Sequence, residues 1–250
     1  MPTIGIMDSG VGGLSVMREI LKVLPQERYV YFSDNAWCPY GEKSPGFIRE
    51  RCRRITELML SKGAEAMVVA CNTATAAAIQ TLRSEYGIPF VGMEPAVKPA
   101  ALGTRSGVIG VLATAGTLKG SKYLNTKGRF QDEVKIVERV GKGFVELVES
   151  GELTGPHAEK VVGDSLRPLL EAGADTVVLG CTHYPFLLET LRKIAGPEIS
   201  FIDPAPAVAR RLVEVLKEKG IGLADARPDV ELIASGPDES LRRCYALIRQ

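Results

Sequence analysis

One short stretch of this chain occurs twice, and the repetition restricts the fold more than any other feature of the sequence. Gly63-Ala64-Glu65-Ala66-Met67-Val68-Val69-Ala70-Cys71-Asn72-Thr73 aligns without a gap on Gly173-Ala174-Asp175-Thr176-Val177-Val178-Leu179-Gly180-Cys181-Thr182-His183, at a constant offset of 110 positions. Each copy has a turn glycine, an acidic residue and an unbroken apolar run, the pattern of a parallel strand buried on both faces. Each run ends on a cysteine followed by small polar residues. In open α/β sheets ligands bind at the carboxyl edge of the strands. Cys71 and Cys181 are therefore expected to face one another across a single site.

Two further landmarks repeat. The strand Thr3–Met7 and the turn Asp8-Ser9-Gly10-Val11-Gly12-Gly13 return as Gly107–Leu112 and Ala113-Thr114-Ala115-Gly116-Thr117, with Gly110 matching Gly5 at an offset of 105. Val91-Gly92-Met93-Glu94-Pro95-Ala96 returns as the segment ending Ile202-Asp203-Pro204-Ala205, at an offset of 109. Three landmarks in one order imply two homologous lobes, each a mostly parallel sheet flanked by helices, with an active site in the cleft between them. A single continuous sheet with a repeated strand pattern is the alternative. Helical spacing is expected near 48–62, 74–86, 144–149 and 158–170. After the second copy come a helix with Val208, Leu212, Val215 and Leu216, a strand Val230–Ile233 and a last helix, none of which has a counterpart. Returning them to the first lobe gives domains of 1–96 plus 207–250 and 97–206, with hinges near Glu94-Pro95 and Asp203-Pro204.

Charge excludes some functions. With 31 basic and 30 acidic residues along 250, the net charge of +1 leaves no footprint for nucleic acid or an acidic membrane. The amino terminus lacks the basic and apolar regions of a signal peptide, and no apolar run reaches membrane-spanning length, so the expected location is the cytoplasm. The five cysteines, at 38, 52, 71, 181 and 244, have no metal-ligand or disulfide-framework spacing. Cys52 and Cys244 recur with apolar residues at helical spacing and read as core. Cys71, Cys181 and, less convincingly, Cys38 are the candidates for reactivity. Nothing marks a pyridoxal lysine, a dinucleotide fingerprint or a metal cluster, so neither cofactor nor metal is expected.

Two thiols on opposite sides of a substrate suit a stereoinversion. Taking a proton from one face of a carbon and returning one to the other requires a base and an acid that exchange roles with direction. A free thiol titrates near ~8.5 and is lowered at helix amino termini, so a thiolate/thiol pair is accessible. Both cysteines precede expected helices, near Ala74 and Pro185. Asp8 and His183 are candidates to hold or relay protons, whereas His157, in a Gly-Pro-His turn, reads as surface. Ser9, Asn72, Thr73, Thr114, Thr117 and Thr182 supply donors suited to carboxylates and an ammonium group; some of these hydroxyls also read as helix caps. The glycine turn lacks the Gly-Lys-Ser/Thr ending of a nucleotide loop and is weak evidence for a phosphate cradle.

At these residues the chain resembles the glutamate racemase family. The matching pieces are Asp8 to Gly13, Asp34 to Gly41, Cys71-Asn72-Thr73-Ala74, Glu94-Pro95, Ala113 to Thr117, and Gly180-Cys181-Thr182-His183-Tyr184-Pro185. The resemblance implies cofactor-independent interconversion of L- and D-glutamate that supplies D-glutamate for peptidoglycan. It implies Cys71 and Cys181 as catalytic acid/bases assisted by Asp8 and His183, and substrate contacts from Ser9, Pro39, Tyr40, Gly41, Asn72, Thr73, Thr114, Thr117 and Thr182. Glu149 is implied near the site. The family often forms homodimers, though no sequence stripe here nominates an interface. Asn35 and Gly141 depart from the usual threonine and cysteine. Aspartate racemases share the two-cysteine plan but usually carry an acidic residue in place of His183. A non-catalytic amino-acid-binding protein and an isomerase with one nucleophilic thiol are the other readings.

Overall fold

The computed structural model describes residues 2–222 and 229–249. Residues 223–228 and 250 of the expected carboxyl-terminal addition lie outside the described residues. Nine strands are described: β1 Thr3–Asp8, β2 Arg28–Ser33, β3 Ala64–Val69, β4 Phe90–Gly92, β5 Val108–Ala113, β6 Lys135–Val140, β7 Thr176–Gly180, β8 Ser200–Ile202 and β9 Asp229–Ala234. They form two sheets, ordered β4-β3-β1-β2-β9 and β6-β5-β7-β8, with every pairing parallel. Read from the matching edge, β2-β1-β3-β4 and β6-β5-β7-β8 are the same arrangement, so the repeated landmarks occupy equivalent strands. The single continuous sheet is not what forms. β9 adds to the first sheet along the whole of β2, and the helix Ala205–Glu218 packs on the helix Leu14–Val23.

Strand periodicity decides what each strand buries. Ile4 and Ile6 of β1, and Ala66 and Val68 of β3, enter a core that also holds Leu179, Tyr184, Leu212 and Cys244, so it runs across both sheets. The alternate residues Met7, Met67 and Val69 face the opposite side, where Ile48, Cys52, Ile55 and Met59 cover them. Those four lie on one face of the helix Pro45–Ser61, which starts on Ser44, whose Oγ accepts the Phe47 N–H, with Pro45 in its first turn. The same two-residue period carries past the strand ends: Cys71 continues Met67 and Val69 into the outer cluster, and Cys181 continues Val177 and Leu179 into the shared core.

Sequence spacing does not mark the helices Val97–Gly103, Ala115–Leu118 and Ser121–Phe130. The first two are short and rich in Ala and Gly, the first burying only Val97, Ala100 and Ala101 within seven residues, and the third buries only Tyr123, so none carries a stripe long enough to read. No helix among the described residues is long and apolar enough to cross a membrane.

Candidate active site

The site lies where the carboxyl ends of β1, β3, β5 and β7 converge. On the first lobe, Asp8 closes β1 and is fully buried. One carboxylate oxygen accepts the Gly10 N–H at 2.9 Å, and the other accepts the Thr182 hydroxyl of the second lobe at 3.0 Å. Burial raises its pKa, opposed by the charge of His183 and these two donors. Cys71, beyond β3, is the N-cap of the helix Asn72–Glu85; its sulfur accepts the Ala74 N–H at 3.4 Å and lies 3.6 Å from Ser9 Oγ.

The helix amino terminus was expected to lower the Cys71 pKa. Burial and the nearby Asp8 carboxylate outweigh it, pushing the thiol up to about 12. Cys181 is differently equipped. The backbone after it enters a 3-10 turn at Tyr184–Leu187 and becomes α-helical only at Leu188, so Cys181 caps no helix. Its sulfur faces His183 Nδ1 at 3.8 Å, and His183 Nε2 is 2.8 Å from Glu149 Oε1.

His183 is buried. Burial opposes its ionisation, but hydrogen bonds with Cys181, Cys38 and Glu149 more than offset this and hold the imidazole well above its ordinary value. Burial likewise disfavours the Glu149 carboxylate, yet His183, the Val11 N–H and Ser240 hold its pKa below the ordinary value. Each shift is a pH-dependent stability contribution. The imidazole contribution is full below about 6.5 and is lost as pH rises through its raised folded value. The carboxylate contribution is present above about 4.5 and is lost as pH falls through its depressed value. Glu149→Gln should therefore destabilise the protein most between these two values, with a penalty that shrinks at alkaline pH. Urea midpoints across pH check this, and a penalty independent of pH would contradict it.

The lobes meet directly across the site. Thr73 Oγ1 lies 2.8 Å from Thr114 Oγ1 and 3.3 Å from Thr117 Oγ1, and Thr114 caps the short helix Ala115–Leu118. Ser15 Oγ donates to the Thr182 carbonyl at 2.9 Å. Gly41, Thr73 and Gly116 line a cavity of about 620 Å³ whose other walls include Lys43, Arg49 and Lys119. The Asn72 side chain is buried, and neither its oxygen nor its nitrogen has a hydrogen-bond partner. An unsatisfied buried amide costs about 1–3 kcal/mol and is the chemistry of a group kept for a ligand.

Structure also separates residues that the sequence grouped. The Tyr40 hydroxyl donates to Asp34, which a bidentate Arg51 also holds at 2.7 and 2.9 Å, so that hydroxyl braces its loop. Pro39 lines a different cavity, beside Cys38 and Glu149. Trp37 is exposed against Phe47 and Arg51, and His157 is exposed beside Glu152. Asn35 ties its loop to the carboxyl-terminal segment through the Gly236 N–H and the Pro237 carbonyl. Gly141 sits against Tyr184, where a Cβ would come 2.6 Å from the hydroxyl.

The part of the site that sequence reasoning missed is the purpose of the glycine turn. A Cβ at Gly12 would lie 2.4 Å from His183 Nδ1 and 2.6 Å from Thr182 Oγ1. The turn is bare so that the second lobe can press its Thr182-His183 pair against the first, not so that a phosphate can enter.

Residues 4–212 match the family model described as Asp/Glu/hydantoin racemase. A glutamate racemase of Pseudomonas putida is 49% identical over 246 residues, which cover 98% of this chain and 93% of that protein. The crystal structure of Escherichia coli glutamate racemase, in complex with L-glutamate and the activator UDP-MurNAc-Ala, superposes with a TM-score of 0.87 at 37% identity, covering 99% of this chain and 95% of that one. Glutamate racemase from Francisella tularensis, in complex with D-glutamate, gives a TM-score of 0.83 at 26% identity, covering 99% and 93%. With the family model spanning most of its length and such relatives matched nearly end to end, the chain belongs to the Asp/Glu/hydantoin racemase family, among its glutamate racemases.

Proposed function

We propose that the protein interconverts L- and D-glutamate without a cofactor, one of Cys71 and Cys181 taking the Cα proton as thiolate while the other, as thiol, gives a proton to the opposite face. The observation that carries this reading is the placement of two cysteines at equivalent strand ends of two equivalent sheets, each with its own partners for moving a proton. Cys71 is backed by the carboxylate Asp8, and Cys181 by an imidazole whose pKa is held up by its hydrogen bonds with Cys181, Cys38 and Glu149. Reversing direction exchanges the roles of the two sulfurs, so a symmetric pair serves both enantiomers.

In this reading the substrate ammonium group offsets the negative charge of Asp8 beside Cys71, which favours a thiolate there. The carboxylates take hydroxyl and backbone donors from Ser9, Gly41, Thr73, Thr114, Thr117 and Thr182, and the free amide of Asn72 supplies both a donor and an acceptor. The domains act as 1–96 plus 207–250 and 97–206, hinged near Glu94-Pro95 and Asp203-Pro204. A role in supplying D-glutamate for peptidoglycan, in the cytoplasm, belongs to the same proposal; the supporting observation is that the Escherichia coli relative was solved with UDP-MurNAc-Ala.

The test of substrate is to incubate the protein with single L-amino acids and resolve the enantiomers by chiral chromatography. D-glutamate is expected, and turnover of aspartate without glutamate would overturn the reading. Asn72→Ala should raise KM at least about tenfold, because a ligand hydrogen bond to a buried partner is worth more than 1.4 kcal/mol when lost. The same change removes an unsatisfied buried amide, so the urea midpoint should hold or rise. A lower midpoint with an unchanged KM would mean that Asn72 is structural.

A further inference from the structure

Three potential ligand atoms converge beside the site, from elements far apart in the chain. They are Cys38 Sγ, on the loop after β2, Glu149 Oε1, on the helix Phe144–Ser150, and His183 Nε2, after β7; all three lie within 4.8 Å of one another. With 111 positions between Cys38 and Glu149 and 34 between Glu149 and His183, no sequence spacing announces them. We propose that these atoms form a binding site for a divalent cation of borderline softness, Zn²⁺ by its donor set, and that its occupation inhibits the racemisation proposed above, on which the inhibitory part of this inference rests.

Gly10 offers an independent view of the same convergence. A Cβ there would lie 2.1 Å from Glu149 Oε1, 3.0 Å from Cys38 Sγ and 3.1 Å from His183 Nε2. Any side chain at position 10 would collide with all three donors, so their convergence requires the glycine. In a tetrahedral zinc site, with bonds of about 2.0 Å to N and O and about 2.3 Å to S, the oxygen sits about 3.3 Å from the nitrogen and about 3.5 Å from the sulfur. The present separations are 2.8 Å and 3.8 Å. Binding needs the carboxylate and imidazole to part by about half an ångström and the sulfur to close by a few tenths.

Access and charge also fit. Cys38 and Glu149 line a surface cavity of about 410 Å³ together with Asn35, Pro39, Ser240 and Arg243, which gives an ion a route in and leaves the fourth position to water. A sulfur, nitrogen and oxygen set selects zinc over the hard cations magnesium and calcium. Coordination displaces the Cys38 thiol proton and the Nε2 proton of His183 to solvent, and the thiolate and carboxylate then balance the +2 charge. An ion held on Nε2 pins the imidazole whose other nitrogen, Nδ1, faces the Cys181 sulfur at 3.8 Å, so the ring can no longer adjust to that sulfur during turnover. Inhibition follows as a fall in kcat.

The test titrates the intact protein with Co²⁺ and, separately, dialyses it against Zn²⁺. Wild type is expected to give the near-ultraviolet thiolate-to-cobalt absorption and to bind one zinc ion at this site. Cys38→Ser keeps a small polar contact to Glu149 but lacks the soft donor. It should lose the absorption, bind zinc at least about tenfold more weakly, and lose a smaller fraction of its own metal-free racemisation rate than wild type does when zinc is added. Glu149→Gln should keep the absorption and also lose affinity. Cys38→Ser with the wild-type absorption and affinity would assign the metal to Cys71 or Cys181 and overturn the proposal, as would no zinc binding by wild type beyond that of Cys38→Ser. Because binding is read without turnover, a protein that holds zinc here but does not racemise glutamate would reject the proposed function and leave this site standing.

Discussion

Cys71→Ser and Cys181→Ser are each expected to lower racemisation by about 10²–10⁴-fold, the usual contribution of a positioned acid or base. Serine is close in size to cysteine, and at position 71 its oxygen can still cap the helix by accepting the Ala74 N–H. The fold should therefore persist, with circular dichroism and urea midpoints near wild type. What is lost is an ionisable group, because an alcohol titrates far above a thiol and cannot serve as the base. The losses should be similar in the two directions of reaction for both variants, since in the proposed mechanism each turnover uses both sulfurs. A variant that retains full activity would refute the paired mechanism. A large loss in one variant alone, with an adduct trapped on the other sulfur, would favour a single nucleophilic thiol.

Gly12→Ala should be nearly as damaging, although it removes no functional group. Its added carbon would meet His183 Nδ1 at 2.4 Å, Thr182 Oγ1 at 2.6 Å and His183 Cε1 at 2.8 Å. Gly12 has no positive φ, so the conflict is one of space, not of backbone conformation. Either the turn retreats from the second lobe or His183 tilts away from Cys181. A displacement near 1 Å at a catalytic group costs about 10² in rate, and overpacking costs about 1–3 kcal/mol in stability. Gly46→Ala is the matched control, because nothing lies within 4 Å of the carbon it adds. Gly12→Ala with wild-type kcat would mean that the contact between the turn and His183 does not set the geometry of Cys181.

The fold was legible in the sequence to the extent that burial leaves a pattern. β1, β3, β5 and β7 are buried along nearly their whole length and read as apolar runs. Their repetition implied two sheets of one design, which is what forms. Cys52 and Cys244 read as core from helical spacing, and both are buried. Ser121–Phe130 was not legible because it covers little and shows no stripe.

The candidate site was legible in part for a related reason. Strand periodicity delivers Cys71 and Cys181 to the strand ends, so their place follows from local pattern. The partnership of Asp8 with Thr182 arises from the packing of one lobe on the other, at a separation of 174 positions, and that of His183 with Glu149 from packing within the second lobe, at 34 positions. No periodicity within either lobe encodes them. The Cys71 pKa failed in the same way: local reasoning counted the helix amino terminus but not the burial and the Asp8 charge that only the assembled site supplies.

The central claim is that two groups, one on each face of the substrate, handle the Cα proton. L-glutamate incubated with the protein in heavy water, sampled while little has reacted, tests it through the deuterium content at Cα of each enantiomer. The two-thiol mechanism predicts deuterium in the D-glutamate formed while the remaining L-glutamate lags behind, because the group that donates is not the group that abstracted. Deuterium entering both enantiomers at equal rates from the outset would indicate one base reaching both faces, and would contradict the assignment of Cys71 and Cys181 as an opposed pair.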